Sequence, residues 1–304
     1  MTAEPVGMML TGITTLFAGL ILVGPRLRAA SAIDRLLLLG PVCDAVALAI
    51  FGAEHMLAAR DLAPIVPRWL PGPLFWTYFV GACWLLAALS FILWRQVRWS
   101  ATLTAALLLI IVATIDLPNV PRHLHERLFW TLFVRESSFA AGAMVLAGSV
   151  WQRDSWAGVA LVRIGRAIVA AVMVFYAIEH FLFPQFVPGV PLEKHMPAWV
   201  PAPTLLSYVV GIALLLGGIG LFIRPFVRTA AATAGTMLVL LTVFFYLPIL
   251  IMEIHTPLVV EGINYVGDTL LFAGTVLLAG LGTDQCRSVP DEVARFVPAE
   301  RVFQ

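Results

Sequence analysis

Long apolar runs separated by short polar segments make up nearly the whole chain. Nine runs of about 20 residues can be placed, with approximate bounds 8–24, 36–58, 73–94, 100–116, 128–150, 157–183, 203–223, 228–252 and 259–282. None of them shows the alternating polar positions of a membrane β-strand. The pattern predicts an all-α polytopic membrane protein of about nine transmembrane helices. The first run follows Glu4 and has no A-x-A-like cleavage site, so we expect a retained helix.

The composition indicates that much of the protein surface contacts lipid and not water. Hydrophobic residues make up 61% of the 304 residues and charged residues 12%, about half the share in soluble domains. A net charge of +1 without a basic block argues against nucleic-acid binding. Cys43, Cys83 and Cys286 are an odd set without a C-x-x-C pair, which argues against a disulfide framework and against thiol redox chemistry.

The placement of Arg and Lys predicts how the helices are oriented. Thirteen of the 19 basic residues fall in one set of connections and six in the other. Basic loops stay in the cytoplasm. We therefore expect a multi-pass protein of a bacterial-type inner membrane, with its N-terminus outside and its C-terminus in the cytoplasm.

An internal repeat divides the chain into two units. At an offset of 130 residues, Pro67–Pro73 matches Pro197–Pro203, and Leu117-Pro118 matches Leu247-Pro248. The predicted organisation is an N-terminal helix and loop (1–35), two four-helix repeats (36–150 and 157–282) and a cytoplasmic tail (283–304). Because four is an even number, both repeats run in the same direction, and a pseudo-two-fold axis along the membrane normal should relate them.

Each repeat carries the same set of motifs. An acid-His pair (Glu54-His55, Glu179-His180) precedes a W-x-P-x-P loop at Trp69 and Trp199, followed by Tyr78-x-x-Gly81 and Tyr208-x-x-Gly211, an Arg-bounded turn and a helix ending in Leu-Pro. Together these resemble the DoxX/DoxD-like membrane proteins. The resemblance implies a four-helix module and, from some relatives, quinone-linked sulfur oxidation or terminal oxidase complexes. Many members have a Glu just after the glycine, where this chain has Ala82 and Ile212.

Ionisable residues inside apolar runs mark the candidate site, since each costs roughly 2.5–3.5 kcal/mol on insertion scales. Eight fall in one outer layer, four from each repeat: Glu54, His55, Tyr78 and Glu136, and Glu179, His180, Tyr208 and Asp268. One hypothesis is a proton-exchanging site for a small amphipathic ligand such as a quinol, in which the carboxylates and histidines do the chemistry and the tyrosines bind the ligand. It requires His55 beside Glu136 and His180 beside Asp268. The alternative is that these groups pair and tie the helices together.

Three further residues belong to the candidate ligand site. Trp69 and Trp199 lie in loops that we expect to fold over the outer mouths as lids. Asp44 precedes His55 by three turns on one helix face, with Leu48 and Phe51 between them. This placement favours either a proton path along that face or an ion pair of Asp44 with Arg163 or Arg166.

Cofactors are less well specified than the site. Adjacent Glu and His point about 100° apart on a helix and no E-x-x-H spacing occurs, so no metal site is predicted. A quinone is the preferred ligand, and a haem between His55 and His180 is the weaker alternative.

Two functional hypotheses stay open. One is a quinone-linked oxidoreductase component or respiratory-complex accessory subunit, with the bilayer, other membrane redox subunits or a quinone as partners. The other is a non-enzymatic assembly factor, scaffold or small-solute carrier. We prefer the first hypothesis, and the lack of an electron-carrying motif in the sequence is the strongest argument for the second. Oligomerisation is compatible with both.

Overall fold

A computed structural model describes residues 3–151, 155–190 and 192–282, and these are almost entirely helical. The predicted tail at 283–304, with Cys286, lies outside the described residues. Thirteen α-helices occur in chain order: α1 Ala3–Ala29, α2 Ala32–Leu37, α3 Gly40–Leu57, α4 Ala59–Leu62, α5 Pro73–Leu93, α6 Val97–Ile111, α7 Leu117–Asn119, α8 Arg127–Val150, α9 Trp156–Leu182, α10 Pro203–Phe222, α11 Val227–Leu241, α12 Leu247–Glu253 and α13 Val259–Ala279. In these ranges the only β-type pairing is an isolated bridge between Phe186 and His195.

Eight helical stretches among the described residues are long and apolar enough to cross a membrane. They are Ala3–Ala29, Ala32–Leu57, Pro73–Leu93, Val97–Arg122, Trp156–Leu182, Pro203–Phe222, Arg224–Glu253 and Val259–Ala279. The ninth predicted run is α8, whose 24 residues span about 36 Å but include Arg135 and Glu136. The prediction of an all-α polytopic membrane protein is confirmed.

The repeat is visible in an unusual local feature. Five-residue π-helical segments occur at Val112–Asp116 and Thr242–Tyr246, again 130 residues apart, and each is followed by Leu-Pro. Proline has no N–H to donate to the preceding turn and its ring crowds the carbonyl four residues earlier. The helix therefore widens just before Pro118 and Pro248, as π-bulges commonly do.

The helices of the two repeats form one ring, whose members are α3, α5, α6, α8, α9, α10, α11 and α13. In each repeat the first helix packs on the second, the second on the third and the third on the fourth. The last helix of each repeat then packs on the first helix of the other, α8 on α9 and α13 on α3, and α8 also contacts α13. The two repeats therefore share one helical body, in which the α8–α13 contact lies between them.

The first helix lies outside this ring and packs on α3 and α5. Its other face is exposed and apolar, with Phe17 62% and Ile21 74% accessible. Leu103, Leu216 and Phe244 are exposed in the same way on other helices. Since an apolar surface of this extent needs an apolar solvent, these faces contact the lipid bilayer.

Candidate functional site

An arginine joins the two repeats where α8 meets α13. The guanidinium of Arg135 donates through Nη1 to Asp268 Oδ2 at 2.7 Å and through Nη2 to Glu136 Oε1 at 2.8 Å. All three side chains are largely buried. Glu136 and Asp268 are equivalent positions of the two repeats, whereas the equivalent of Arg135 is Gly267. The cation therefore breaks the two-fold symmetry of the carboxylates; we call these three residues the Arg135 group.

Two more carboxyl groups interact electrostatically with the Arg135 group. The charge of Arg135 also acts on Glu54, at the end of α3, and on Asp116, in the first π-helical segment. Glu54 Oε1 accepts a hydrogen bond from Asn264 Nδ2 at 2.9 Å. One guanidinium thus pairs with two carboxyl groups and acts electrostatically on two more. Charges in lipid are expensive, so three uncompensated carboxylates at this place would be strongly unfavourable.

A buried tyrosine completes this part of the site. Tyr176, on α9, is fully buried and its hydroxyl makes no hydrogen bond to the described residues. The charges of Arg135, Asp268 and Glu136 all act on it. Tyr176 lies four residues before His180 on one helix face, a spacing that could have identified it from the sequence.

The two predicted histidines have different surroundings. His180 is buried; its Nδ1 bonds the Tyr176 carbonyl and its Nε2 accepts from the Gly189 N–H at 2.9 Å. Nε2 as acceptor makes Nδ1 the protonated nitrogen of a neutral ring. His55 uses only Nδ1, on the Phe51 carbonyl at 2.8 Å, and is partly exposed. Within the described part of the chain, His55 therefore keeps a ring nitrogen available, and His180 does not.

The expected contacts of these histidines are formed only in part. Glu136 acts electrostatically on His55, but no hydrogen bond joins them. The expected contact between His180 and Asp268 is not formed, because Asp268 pairs with Arg135 and both His180 nitrogens bond backbone groups. For the same reason His180 has no nitrogen to offer a haem iron. In the described ranges no group of three or more His, Cys, Asp or Glu is arranged to hold a metal ion.

Glu179 belongs to a second ion pair. Its Oε2 accepts from Arg127 Nη1 at 2.7 Å. The Arg127 guanidinium also lies 4.2 Å from the ring centre of Phe186 and 5.4 Å from that of Phe183. The sequence places Arg127 and Arg135 among the six basic residues of the outer connections, although Arg135 adjoins Glu136 inside an apolar run. That adjacency was the available signal.

Residues 183–190 and 192–202, which we call the inserted loop, fold back into the helical ring. Val187 and Val190 are fully buried, and Gly189, with φ +102°, lies against Leu238 and Leu241. The Tyr246 hydroxyl donates to the Pro188 carbonyl. This loop covers the end of the ring that carries the carboxylates, as expected of a lid.

The corresponding loop of the first repeat stays outside. Ile65 is 58% and Trp69 69% exposed, so Trp69 does not cover the Arg135 group. Trp199, in the inserted loop, is 43% exposed and has its ring centre 5.9 Å from that of Phe245. The lid geometry therefore applies to the second repeat alone.

A lysine fastens the inserted loop to α12 and α13. Lys194 Nζ lies 2.8 Å from Glu253 Oε1 and 2.9 Å from Glu261 Oε1, and 5.2 Å from the centre of the Tyr265 ring. Burial by itself lowers the pKa of the Lys194 ammonium, but its hydrogen bonds to Glu253 and Glu261 and their charges outweigh burial. The pKa of Lys194 is therefore raised above its ordinary value of 10.5.

Replacing Lys194 by methionine should loosen the inserted loop. Amide exchange in residues 183–202 should become severalfold faster, since a lost ion pair is worth about 1 kcal/mol or less. Because the folded-state pKa of Lys194 is the raised one, its contribution is complete below the unfolded-state pKa and disappears as pH rises through the folded-state pKa. Hydrogen exchange at neutral pH measures the effect, with Arg68→Met in the exposed loop as control. Equal exchange in both variants would contradict the role of Lys194.

The predicted tyrosines lie away from the Arg135 group. Tyr78 is 45% and Tyr208 40% exposed, on the outer surfaces of α5 and α10. The structure does not bring them together with the carboxylates. The buried phenols are Tyr176, Tyr246 and Tyr265, none of which was selected from the sequence.

Asp44 is buried and makes no ion pair with the described residues. It is 3% exposed, and its Oδ1 makes no hydrogen bond to the described residues. Its carboxyl packs directly on Gly274 of α13. The expected ion pair with Arg163 or Arg166 is not formed: Arg163 is exposed, and Arg166 donates to the carbonyls of Ala279 and Leu281 at 2.9 and 2.7 Å.

Comparisons with known proteins add a partial similarity. Residues 44–127 match a family described as "Domain of unknown function (DUF8561)". The match extends from Asp44 to the first residue of α8, which is a little over a quarter of the chain. Comparison with curated proteins gives no match, and neither does comparison with solved structures.

Proposed function

We propose that the chain is a proton-linked membrane carrier of a small cationic solute, and that the Arg135 group exchanges protons for that solute. The observation that carries the proposal is the Arg135 guanidinium, which hydrogen-bonds Asp268 and Glu136 between the two repeats and also acts electrostatically on Glu54 and Asp116. Carriers built from repeats bind their substrates near the repeat interface. A site with excess carboxylates is neutral when it holds protons or a cation, and an exchange of one for the other preserves that balance.

Closure of one end is consistent with a carrier. The inserted loop covers the carboxylate end and is fastened by Lys194 and by the Tyr246 hydroxyl. Opening it would expose the Arg135 group to water on one side. Each member of this closure is a short ion pair or hydrogen bond, so the loop is the element that we expect to move.

A quinol site is the second candidate, and His55 is the observation that favours it. His55 is partly exposed, keeps Nε2 available and lies within the field of Glu136, so it could take a proton from a quinol that approaches from the lipid. Under this hypothesis the chain serves a quinone-linked oxidoreductase. A DoxX-like origin and an inner-membrane orientation with the N-terminus outside are parts of the same proposal. A short-chain quinone should then bind the wild type and His125→Leu, but not His55→Leu.

Exchange of protons for a permanent cation tests the carrier proposal. Tetramethylammonium is a suitable probe because it has no proton to lose. In proteoliposomes with an acidic interior, the wild type should take up labelled tetramethylammonium while the interior becomes more alkaline. The double variant Glu136→Gln/Asp268→Asn should lose both signals, since neither position can then ionise.

The matched control is Glu126→Gln. Glu126 is an exposed loop carboxylate paired with His123 at 2.7 Å, outside the Arg135 group, so its removal should leave exchange unchanged. Absence of exchange by folded wild-type protein, or equal exchange by the double variant, would overturn the carrier proposal.

A further inference from the structure

A cleft opens between α1, α3 and α5 at the end of the bundle opposite the carboxylates. It lies where α1 and α5 end and α3 begins. Gly19, Val23, Arg26, Pro41, Phe91 and Trp94 contribute to its walls. Arg26 is the one charged residue among those that line it.

Arg26 is positioned in this cleft by an aromatic ring. Its guanidinium carbon lies 4.9 Å from the centre of the Trp94 ring, within the range of a cation–π contact. Trp94 ends α5 in the left-handed region, with φ 54°, which is uncommon for a residue other than glycine. No carboxylate of the described part of the chain pairs with Arg26. The guanidinium is therefore partly buried, oriented and without a counter-charge from the described residues.

We propose that this cleft binds the phosphate of an anionic phospholipid, with Arg26 as its cationic ligand. The cleft has a volume of about 90 Å³, which is room for a phosphate-sized group and not for a whole lipid. The acyl chains would run along the exposed apolar surface of α1, past Leu22 and toward Ile21. Basic pockets between transmembrane helices commonly hold anionic headgroups, and the planar guanidinium suits phosphate oxygens.

A groove in the second repeat lacks the charged residue that distinguishes the cleft beside α1. Ala213, Gly217, Ile223, Phe226 and Thr233 line a groove between α10 and α11, and none of its lining residues is charged. The second repeat also has no counterpart of α1. The charged cleft is therefore a property of the helix outside the ring, and it is independent of the proposed carrier site.

Lipid retention tests the proposal with a neighbouring arginine as control. The full chain is reconstituted in nanodiscs with equal phosphatidylglycerol and phosphatidylcholine, extracted, and examined by native mass spectrometry. The wild type should retain phosphatidylglycerol selectively, and Arg26→Gln should lower that retention about fivefold, the effect of one basic residue near an anionic surface. Arg28→Gln, exposed on the same helix, should behave like the wild type.

A second variant keeps the test decisive if Arg26→Gln folds poorly. Trp94→Leu leaves the charge of Arg26 in place and removes the ring that orients it, so phosphatidylglycerol retention should fall with little change in phosphatidylcholine. Equal losses in Arg26→Gln and Arg28→Gln, or equal retention of both lipids by the wild type, would overturn the proposal.

Discussion

Replacement of Arg135 by leucine should lower the free energy of unfolding by about 3–5 kcal/mol, the usual cost of removing one partner of a buried ion pair. Glu136 and Asp268 would both lose their direct cationic partner. The loss should appear as a lower midpoint of thermal or denaturant unfolding in detergent. It is the largest effect that we expect of a single substitution in this chain.

Removing the carboxylates should restore much of that stability. In the triple variant Arg135→Leu/Glu136→Gln/Asp268→Asn no unpaired charge remains at these positions, so the midpoint should move back toward that of the wild type. Arg68→Leu, in the exposed loop, is the control for loss of an arginine alone. If the triple variant is as unstable as Arg135→Leu, then packing of the arginine and not its charge stabilises the α8–α13 contact.

Substitution of Gly274 by alanine should have the second largest effect. A Cβ at this position would overlap Asp44 Oδ1 and lie 2.9 Å from the Gly40 carbonyl oxygen, so α3 and α13 would have to separate. Overpacking of this kind costs about 1–3 kcal/mol. The measurement is again the unfolding midpoint of the purified protein.

A glycine in open surroundings provides the comparison. A Cβ at Gly24, within α1, meets no atom within 4 Å, so Gly24→Ala should be neutral or slightly stabilising through helix propensity. Asp44→Ala combined with Gly274→Ala should recover part of the loss by removing the closest obstacle. Destabilisation by Gly24→Ala as large as that by Gly274→Ala would contradict the close packing of α3 on α13.

The fold was accessible from the sequence because lipid imposes simple requirements. Apolar runs of spanning length predict the helices, and eight of the nine expected runs qualify by length and hydropathy. The ninth, α8, carries Arg135 and Glu136, and the same two residues that make it more polar place it in the site. Helix α1 also agrees with the sequence pattern, whereas that pattern predicts helices ending in Leu-Pro and no π-helical segments before Pro118 and Pro248.

The site was accessible only in part because ion pairing depends on three-dimensional packing. The repeat makes Glu136 and Asp268 equivalent positions, and the structure places both on one guanidinium. The repeat symmetry does not identify Arg135, because the equivalent residue of the second repeat is Gly267. Nor does apolar periodicity separate a lipid-facing Tyr78 from a buried Tyr176, because both faces of a membrane helix are apolar.

The two repeats differ in how their acid-His pairs are bonded. In the second repeat Arg127 binds Glu179, and the Gly189 amide of the inserted loop donates to His180. In the first repeat Glu54 and His55 keep groups available. The second repeat has therefore become the closed half of the structure, and the first repeat contributes most of the titratable groups near Arg135.

The protonation state of the carboxyl groups around Arg135 tests the central claim most directly. Infrared spectroscopy of the protein in lipid reports protonated carboxyl groups through their C=O stretch. At neutral pH the wild type should show this band. Asp268→Asn and Asp116→Asn should each reduce it, and Glu126→Gln should leave it unchanged. A wild-type spectrum without protonated carboxyl groups would contradict the proposal that this site stores protons.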